Sequence, residues 1–232
     1  MNNHPNALVV GNSDGIGLGL TYRLLGLGWH VHGISRSTSP VSHECYTHTV
    51  TDVLAADFTP ALTRVCATAP DLCVYCVGIG EQFDTGNMSQ ETHIMQVNLM
   101  AAMAVLEVVV PAMVDRRRGH IIVLTSIADD LISAEAPSYS ASKAGLTSYT
   151  EGLALALRPR GVAVTNLRFG FVDTKMAKGD RKPFMMTVDR AVEHLLTCIE
   201  KRPIRFTRPR VMGCIVAAVR CLTRIRMRFM RG

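Results

Sequence analysis

The stretch from Ala7 to Ile34 constrains this chain more than any other. Ala7-Leu8-Val9-Val10 is a short apolar run that stops at Gly11, and Asn12-Ser13-Asp14-Gly15-Ile16-Gly17 follows as a turn of glycine and small polar residues. A helical pattern from Leu18 to Leu27 ends at Gly28 in the manner of a glycine helix stop, and Trp29 to Ile34 reads as a second strand. Strand, glycine turn, helix and strand within about 30 residues form the βαβ arrangement that binds dinucleotides. The spacing G-x-x-x-G-x-G differs from the commoner G-x-G-x-x-G, but the physical need is the same. Glycines let the backbone approach a pyrophosphate, and the helix N-terminus supplies amide donors and partial positive charge.

The end of the second strand selects the cofactor. An acid there would bond a ribose 2′-hydroxyl and repel a 2′-phosphate, whereas an arginine accommodates the phosphate. The chain has Ser35-Arg36-Ser37-Thr38-Ser39 and no acid until Glu44, which favours NADP(H) over a plain solvated loop.

A third strand is expected over Cys45 to Val50, with Thr51-Asp52-Val53 leaving it. Too few residues separate it from Ser37 for an ordinary crossover helix. Residues 55 to 68 read as a helix, and Leu72 to Val77 as a buried strand that ends at Gly78-Ile79-Gly80. Cys73 and Cys76 make a C-x-x-C inside that run. Residues three apart on a strand point to opposite faces, so a shared metal or disulfide is not expected there, and no metal site is expected elsewhere.

Met88 to Val114 reads as one long helix with Asn98 mid-way on an apolar surface. Ile121 to Leu124 is a fifth buried strand with Ser126 at its carboxyl end, where open parallel sheets bind ligands. Pro137 opens a helix that runs to about Arg158 and carries Tyr139 and Lys143, four apart and therefore on one face. A cation beside a phenol favours the phenolate, so the pair is expected to lower the Tyr139 pKa and to serve as proton donor and acceptor. Taken singly, each feature has a plain reading: a structural amide, an ordinary strand-end serine, a common helical spacing. Val162 to Leu167 is a sixth strand, Val188 to Lys201 a helix, and Ile204 to Thr207 a last strand.

The fold expected is α/β and doubly wound in the Rossmann-like manner, with a mostly parallel sheet and helices on both faces. Residues 1–207 would form this domain and 208–232 a basic amphipathic tail. The net charge of +6 belongs to that tail: residues 201–232 carry ten Lys or Arg and no acid, leaving 15 basic against 19 acidic residues in the rest. Seven cysteines, an odd number scattered through apolar segments, suit a reducing cytoplasm. Met1 to Asn6 lacks the pattern of a secretory signal, and no apolar run is read as approaching the ~18 residues of a membrane span.

In the tail, Val211 to Arg231 can form a helix with Arg220, Arg224, Arg228 and Arg231 along one side and Ile215, Leu222, Ile225 and Phe229 elsewhere. The plain expectation is a terminal helix packed on the domain with a solvated basic face. Contact with an anionic membrane surface is the next reading. Nucleic acid ranks last, since the tail has one aromatic and no binding module.

Together these residues resemble the short-chain dehydrogenase/reductase family over roughly residues 7 to 200. The resemblance rests on VGNSDGIG after the first strand, Asn98, Ser126, YSASK with Ser126 thirteen residues before Tyr139, and FGFVDT after the sixth strand. It implies that Tyr139 gives a proton to the developing alkoxide, that Lys143 tunes Tyr139 and holds the nicotinamide ribose, and that Ser126 bonds the substrate oxygen. Asn98 would position a water leading from Lys143 to solvent. Gly11, Ser13, Asp14, Gly15, Ile16 and Gly17 would cradle the pyrophosphate, and Ser35, Arg36 and Ser37 the 2′-phosphate. Asp52 and Val53 would face the adenine, and Gly78, Gly170, Val172 and Thr174 the nicotinamide end.

The implied activity is hydride transfer between NADP(H) and a carbonyl or secondary alcohol, by a homodimer or homotetramer. The alternative is a cofactor-binding regulatory or scaffold protein with little turnover. Three departures bear on that choice: Val10 replaces the family's Thr, Cys76-Val77-Gly78 its Asn-Ala-Gly, and Phe169 its Pro. The first two positions normally make polar contacts near the cofactor. The segment from Lys175 to Met186, with Lys175, Lys178, Arg181 and Lys182 beside Phe184, Met185 and Met186, suggests an apolar substrate with an acidic group.

Overall fold

The computed structural model describes residues 4–177 and 184–229. Among them seven strands form one sheet: β1 (Asn6–Val10), β2 (His30–Ser35), β3 (Tyr46–Val50), β4 (Leu72–Tyr75), β5 (Gly119–Ser126), β6 (Val162–Phe169) and β7 (Arg205–Arg208). Their order is β3-β2-β1-β4-β5-β6-β7, and every neighbouring pair is parallel. The order reverses between β1 and β4, which opens a crevice at the carboxyl ends of the strands.

The apolar runs of β1, β4 and β5 are nearly continuous because both sheet faces are covered. On one face Leu8, Val10, Cys73, Tyr75, Ile121 and Val123 pack with α2 (Phe58–Val65), α4 (Ala101–Asp115) and α5 (Pro137–Leu157). On the other, Val9, Val74, Ile122 and Leu124 pack with α1 (Gly15–Gly26) and α6 (Val188–Lys201). Cys73 belongs to the first core and Cys76 packs on the second, so the C-x-x-C is split by the sheet. Between β2 and β3 no helix intervenes, as the short connection requires.

The expected helix from Met88 has a break in its register. α3 (Ser89–Met95) and α4 are joined by a π-turn over Gln96–Met100, and Asn98 sits in that turn. The combined Ser89–Asp115 rod is long and apolar enough to cross a bilayer, which corrects the expectation that no run approaches that length. Its Ile94, Val97, Val105, Leu106, Val109 and Met113 are buried against the rest of the fold, so the apolarity serves the core.

Pro137 occupies the first turn of α5, where its fixed φ suits a helix start and its missing N–H leaves no donor unpaired. Gly161, at φ 80°, turns the chain back into β6. The chain ends in α7 (Arg210–Phe229), which lies against β7 and against the 3₁₀ turn Ile127–Asp130 that follows β5.

Candidate active site

The crevice has a floor, made by the glycine turn, and a wall, made by β5 and α5. In the floor, the Asp14 carboxylate caps α1 by accepting from the Gly15 amide at 2.7 Å. Two positions demand glycine. Gly11 has φ 88° and a Cβ there would lie 2.9 Å from Val77 Cγ2, while a Cβ on Gly17 would lie 2.1 Å from the Gly11 carbonyl oxygen. Ser13, Gly15 and Ile16 complete the turn, half-buried between β1 and α1. Lys175 pairs with Asp14 at 2.6 Å, and the pair holds the Asp14 carboxyl below its ordinary range. Thr174 rests against Gly15, so the segment after β6 reaches across the floor.

Ser35 ends β2, with Arg36 and Ser37 exposed beyond it and no acid among them. A polar chain missed by the sequence reading connects this loop to the glycine turn. Asn12 Nδ2 donates to the Tyr46 hydroxyl at 2.7 Å, and that hydroxyl lies 2.8 Å from His48 Nδ1. His48 Nε2 in turn lies 3.1 Å from the Ser37 carbonyl. Nothing in the motif marked Tyr46 and His48; only the pairing of β3 beside β2 brings them there. Asp52 turns its carboxylate to the Leu54 amide at 2.9 Å, and Val53 packs on the core edge.

The wall gathers the expected acid–base residues. Lys143 is buried, and its Nζ donates to the Leu124 carbonyl at 3.3 Å and lies 5.9 Å from the centre of the Tyr139 ring. Gly78 leaves room for that ammonium: a Cβ there would be 3.3 Å from Lys143 Nζ and 3.6 Å from Asn98 Oδ1. Gly80 does the same for the Tyr139 ring. Asn98 is fully buried. Its Oδ1 accepts from the Ile79 amide at 2.8 Å, and its Nδ2 donates to the Ile79 carbonyl at 2.9 Å and to Ser142 Oγ at 3.0 Å. Ser142 Oγ donates to the Tyr139 carbonyl at 2.8 Å, so one buried amide ties the loop after β4 to α5. Gly170 and Val172 follow β6 with Val172 buried. Lys178, Arg181 and Lys182 lie outside the described residues, and Met176 reaches toward Gly78.

Electrostatics here correct one expectation. Burial raises the Tyr139 phenol, the Ser126 hydroxyl lowers it in part, and Asp129 raises it further, so the net shift is upward rather than downward. Burial also brings Lys143 down to about 8 against the opposing pull of Asp129. Burial penalises charge on both groups, and it is the largest cause in each. Asp129, three residues beyond Ser126, was not singled out from the sequence. It is buried, accepts from Thr147 Oγ1 at 2.6 Å and from Arg168 Nε at 2.7 Å, and its neighbour Asp130 also pairs with Arg168.

The departures from the family pattern are packed, not polar. Val10 is fully buried among Ile34, Tyr75 and their neighbours. Cys76 keeps its backbone bond to the Val10 carbonyl at 2.8 Å, while burial pushes its thiol up to about 12, so it is neutral at the site. Phe169 is buried beside the His194 ring.

A family model described as short chain dehydrogenase matches residues 5–183. The chain belongs to the short-chain dehydrogenase family. An uncharacterized oxidoreductase of Myxococcus xanthus is 34% identical over 206 residues, covering 82% of this chain and 81% of that protein. A very-long-chain 3-oxoacyl-CoA reductase of Aspergillus terreus is 28% identical over 204 residues, which cover 80% of this chain but only 58% of the reductase. Among solved structures, a Burkholderia cenocepacia short chain dehydrogenase in complex with NADP matches with TM-score 0.84 at 22% identity, over 99% of this chain and 98% of that one. That solved structure shares the doubly wound architecture described above.

The residues present suit a nicotinamide dinucleotide. The floor keeps glycine where a Cβ would block the backbone, Gly78 keeps open the space beside Lys143, and the buried Asn12 Oδ1 has no protein partner.

Proposed function

We propose that the protein is an NADP(H)-dependent oxidoreductase acting on a carbonyl or secondary alcohol, with reduction as its working direction. The observation that carries this reading is the convergence of Ser126, Tyr139 and Lys143 in a dry pocket beside Gly78. A bound nicotinamide would supply the hydride. Tyr139, protonated throughout the neutral range because burial raises it, gives its phenolic proton to the carbonyl oxygen as that oxygen gains charge. Ser126 donates a hydrogen bond to the same oxygen and to its developing charge. Lys143, cationic below about pH 8, holds ribose hydroxyls and returns a proton toward Tyr139. Asn98 holds the loop that bounds this proton route. Asp129 favours both the protonated phenol and the cationic lysine, which supports the reductive direction.

Arg36, with Ser35 and Ser37, supports the phosphorylated cofactor. Residues 1–207 would be the catalytic domain and 208–232 an appended surface element. The exposed Met100 on the π-turn and Leu155 on α5 are apolar positions through which these helices would self-associate as a homodimer or homotetramer. Seven unpaired cysteines favour a cytoplasmic, reducing setting. Met176, exposed beside Gly78, together with the exposed Phe184 and Lys175, favours an apolar substrate with an acidic group. The named activities of relatives, 3-oxoacyl-CoA reductase and 3-oxoacyl-[acyl-carrier-protein] reductase, make an acyl thioester the first substrate class to try.

The apolar Val10 and Cys76 favour a second reading, a cofactor-binding protein without turnover. Following NADPH absorbance against a panel of ketones, aldehydes and 3-oxoacyl thioesters separates the two. Turnover that disappears in Tyr139→Phe is expected; NADPH binding without turnover on any substrate would favour the second reading.

A further inference from the structure

The tail helix α7 is turned the opposite way from a helix that only covers a domain. Its inward side is formed by Met212, Gly213, Val216, Arg220 and Thr223, of which Val216 alone is buried. That side is held by polar and close backbone contacts: Arg220 Nη1 donates to Asp130 Oδ1 at 3.0 Å, and Gly213 lies close against Thr207. The outward side is the apolar one. Val211, Ile215, Leu222, Ile225 and Phe229 are 49, 49, 65, 48 and 79% exposed, and their spacing puts them on one stripe of a 3.6-residue helix. The same geometry sets Arg226 and Arg228 at the two edges of that stripe, while Arg224, one turn beyond Arg220, lies on the side away from it; all three are exposed. The expected basic face is therefore split: Arg220 turns to Asp130, and the hydrophobic stripe lies on the opposite side of the helix. Arg231, expected on the basic side, lies outside the described residues.

We propose that α7 is a docking surface for an anionic phospholipid bilayer, lying in the interface plane with its stripe at the acyl boundary and its arginines among the headgroup phosphates. Charge decides between this occupant and a second copy of the chain. Residues 201–232 hold no acid, and among the described residues Arg224, Arg226 and Arg228 have no carboxylate partner. Two stripes packed face to face would set arginine rim against arginine rim with nothing to neutralise them. A bilayer rich in anionic lipid supplies both the apolar layer and the negative charge. Arg220 stays on the domain side and fixes the helix to the turn that begins at Ser126, so docking would bring the substrate end of the site close to the membrane. That last consequence rests on the function proposed above; the binding does not.

The test is co-sedimentation of the full chain with phosphatidylcholine vesicles, with and without phosphatidylglycerol. The protein is expected to pellet with the anionic vesicles and to remain in solution with phosphatidylcholine alone. Leu222→Glu with Phe229→Glu should abolish pelleting, and Arg224→Gln with Arg226→Gln and Arg228→Gln should weaken partitioning about a hundredfold. Circular dichroism checks that these exposed variants remain folded. A Leu222→Trp variant gives an independent readout: its indole emission should shift to the blue only with anionic vesicles. Wild-type protein left in the supernatant, or an unshifted indole, overturns the proposal. So does binding indifferent to the glutamate pair, which would be surface adsorption by charge. Vesicle-independent loss of an oligomer in the glutamate variant, seen by sedimentation velocity without vesicle binding by the wild type, would assign the stripe to a second copy instead.

Discussion

The wall of the site and its floor solve the same problem by different means. On the wall, polar groups are kept and those at the site are tied to partners: Asn98 with Ile79 and Ser142, Lys143 with Leu124, Asp129 with Thr147 and Arg168. On the floor, Val10 and Cys76 fill with apolar or neutral atoms the places where the family pattern has polar ones. Removing one member of a polar pair orphans the other, whereas an apolar side chain in its own apolar surroundings leaves nothing unpaired. The wall therefore tolerates little change, and on the floor Val10 and Cys76 each fill a separate face of the sheet.

The largest expected effect is on the wall. Tyr139→Phe should lower kcat/KM for reduction on the order of a thousandfold, as loss of a positioned acid does, while NADPH binding is kept. A floor that also contributed the proton would leave much more activity.

The next effect depends on pH, and its sign differs between wall and floor. Burial lowers Lys143 from 10.5 to about 8 in the folded chain, so the unfolded chain binds more protons between these values and the Lys143 contribution to stability rises with pH across that window. The rise should amount to about 3 kcal/mol at most by urea unfolding and vanish in Lys143→Met. Over the same window kcat/KM should fall as the cation is lost. Cys76, raised from 9.0 to about 12, acts oppositely: its contribution to stability is lost as pH rises above 9. Cys76→Ala should lessen the decline above pH 9, to which the buried Cys66, Cys73 and Cys198 also contribute.

A smaller effect concerns the two replaced positions. Val10→Thr should cost about 2 kcal/mol by burying an unpaired hydroxyl, and because Val10 and Cys76 pack on opposite faces of the sheet, Cys76→Asn should add its own cost independently. A double variant markedly more stable than the sum of the two changes would mean that the positions are coupled through the sheet. The smallest effect is at the edge of the floor, where Arg36→Ala should weaken NADPH about tenfold in a fluorescence titration and leave NADH unchanged.

Much of this was legible in the residues. The glycine turn, the missing crossover helix and the apolar strands are local signals, and each fixed an element to within a few residues. The placement of Tyr139 and Lys143 on one face followed from spacing alone. What local pattern did not carry was depth. Burial reversed the expected Tyr139 shift, because the water the phenol loses outweighs the bond from Ser126, and Asp129 adds to the rise. Tyr46, His48 and Asp129 joined the site through sheet pairing and long-range ion pairs that no spacing announces. Similarly, the arginine spacing in the tail pointed to a helix, but which side of α7 faces the domain was settled by Asp130, ninety residues away in the chain.

The account rests on a wall that can turn over a substrate once the floor has seated NADPH. The direct measurement is a paired one on wild type and Tyr139→Phe: NADPH affinity by fluorescence titration, then NADPH consumption with a 3-oxoacyl thioester. Equal NADPH affinity with turnover confined to the wild type is the predicted result. Equal turnover in both proteins, or no NADPH binding by either, would contradict it.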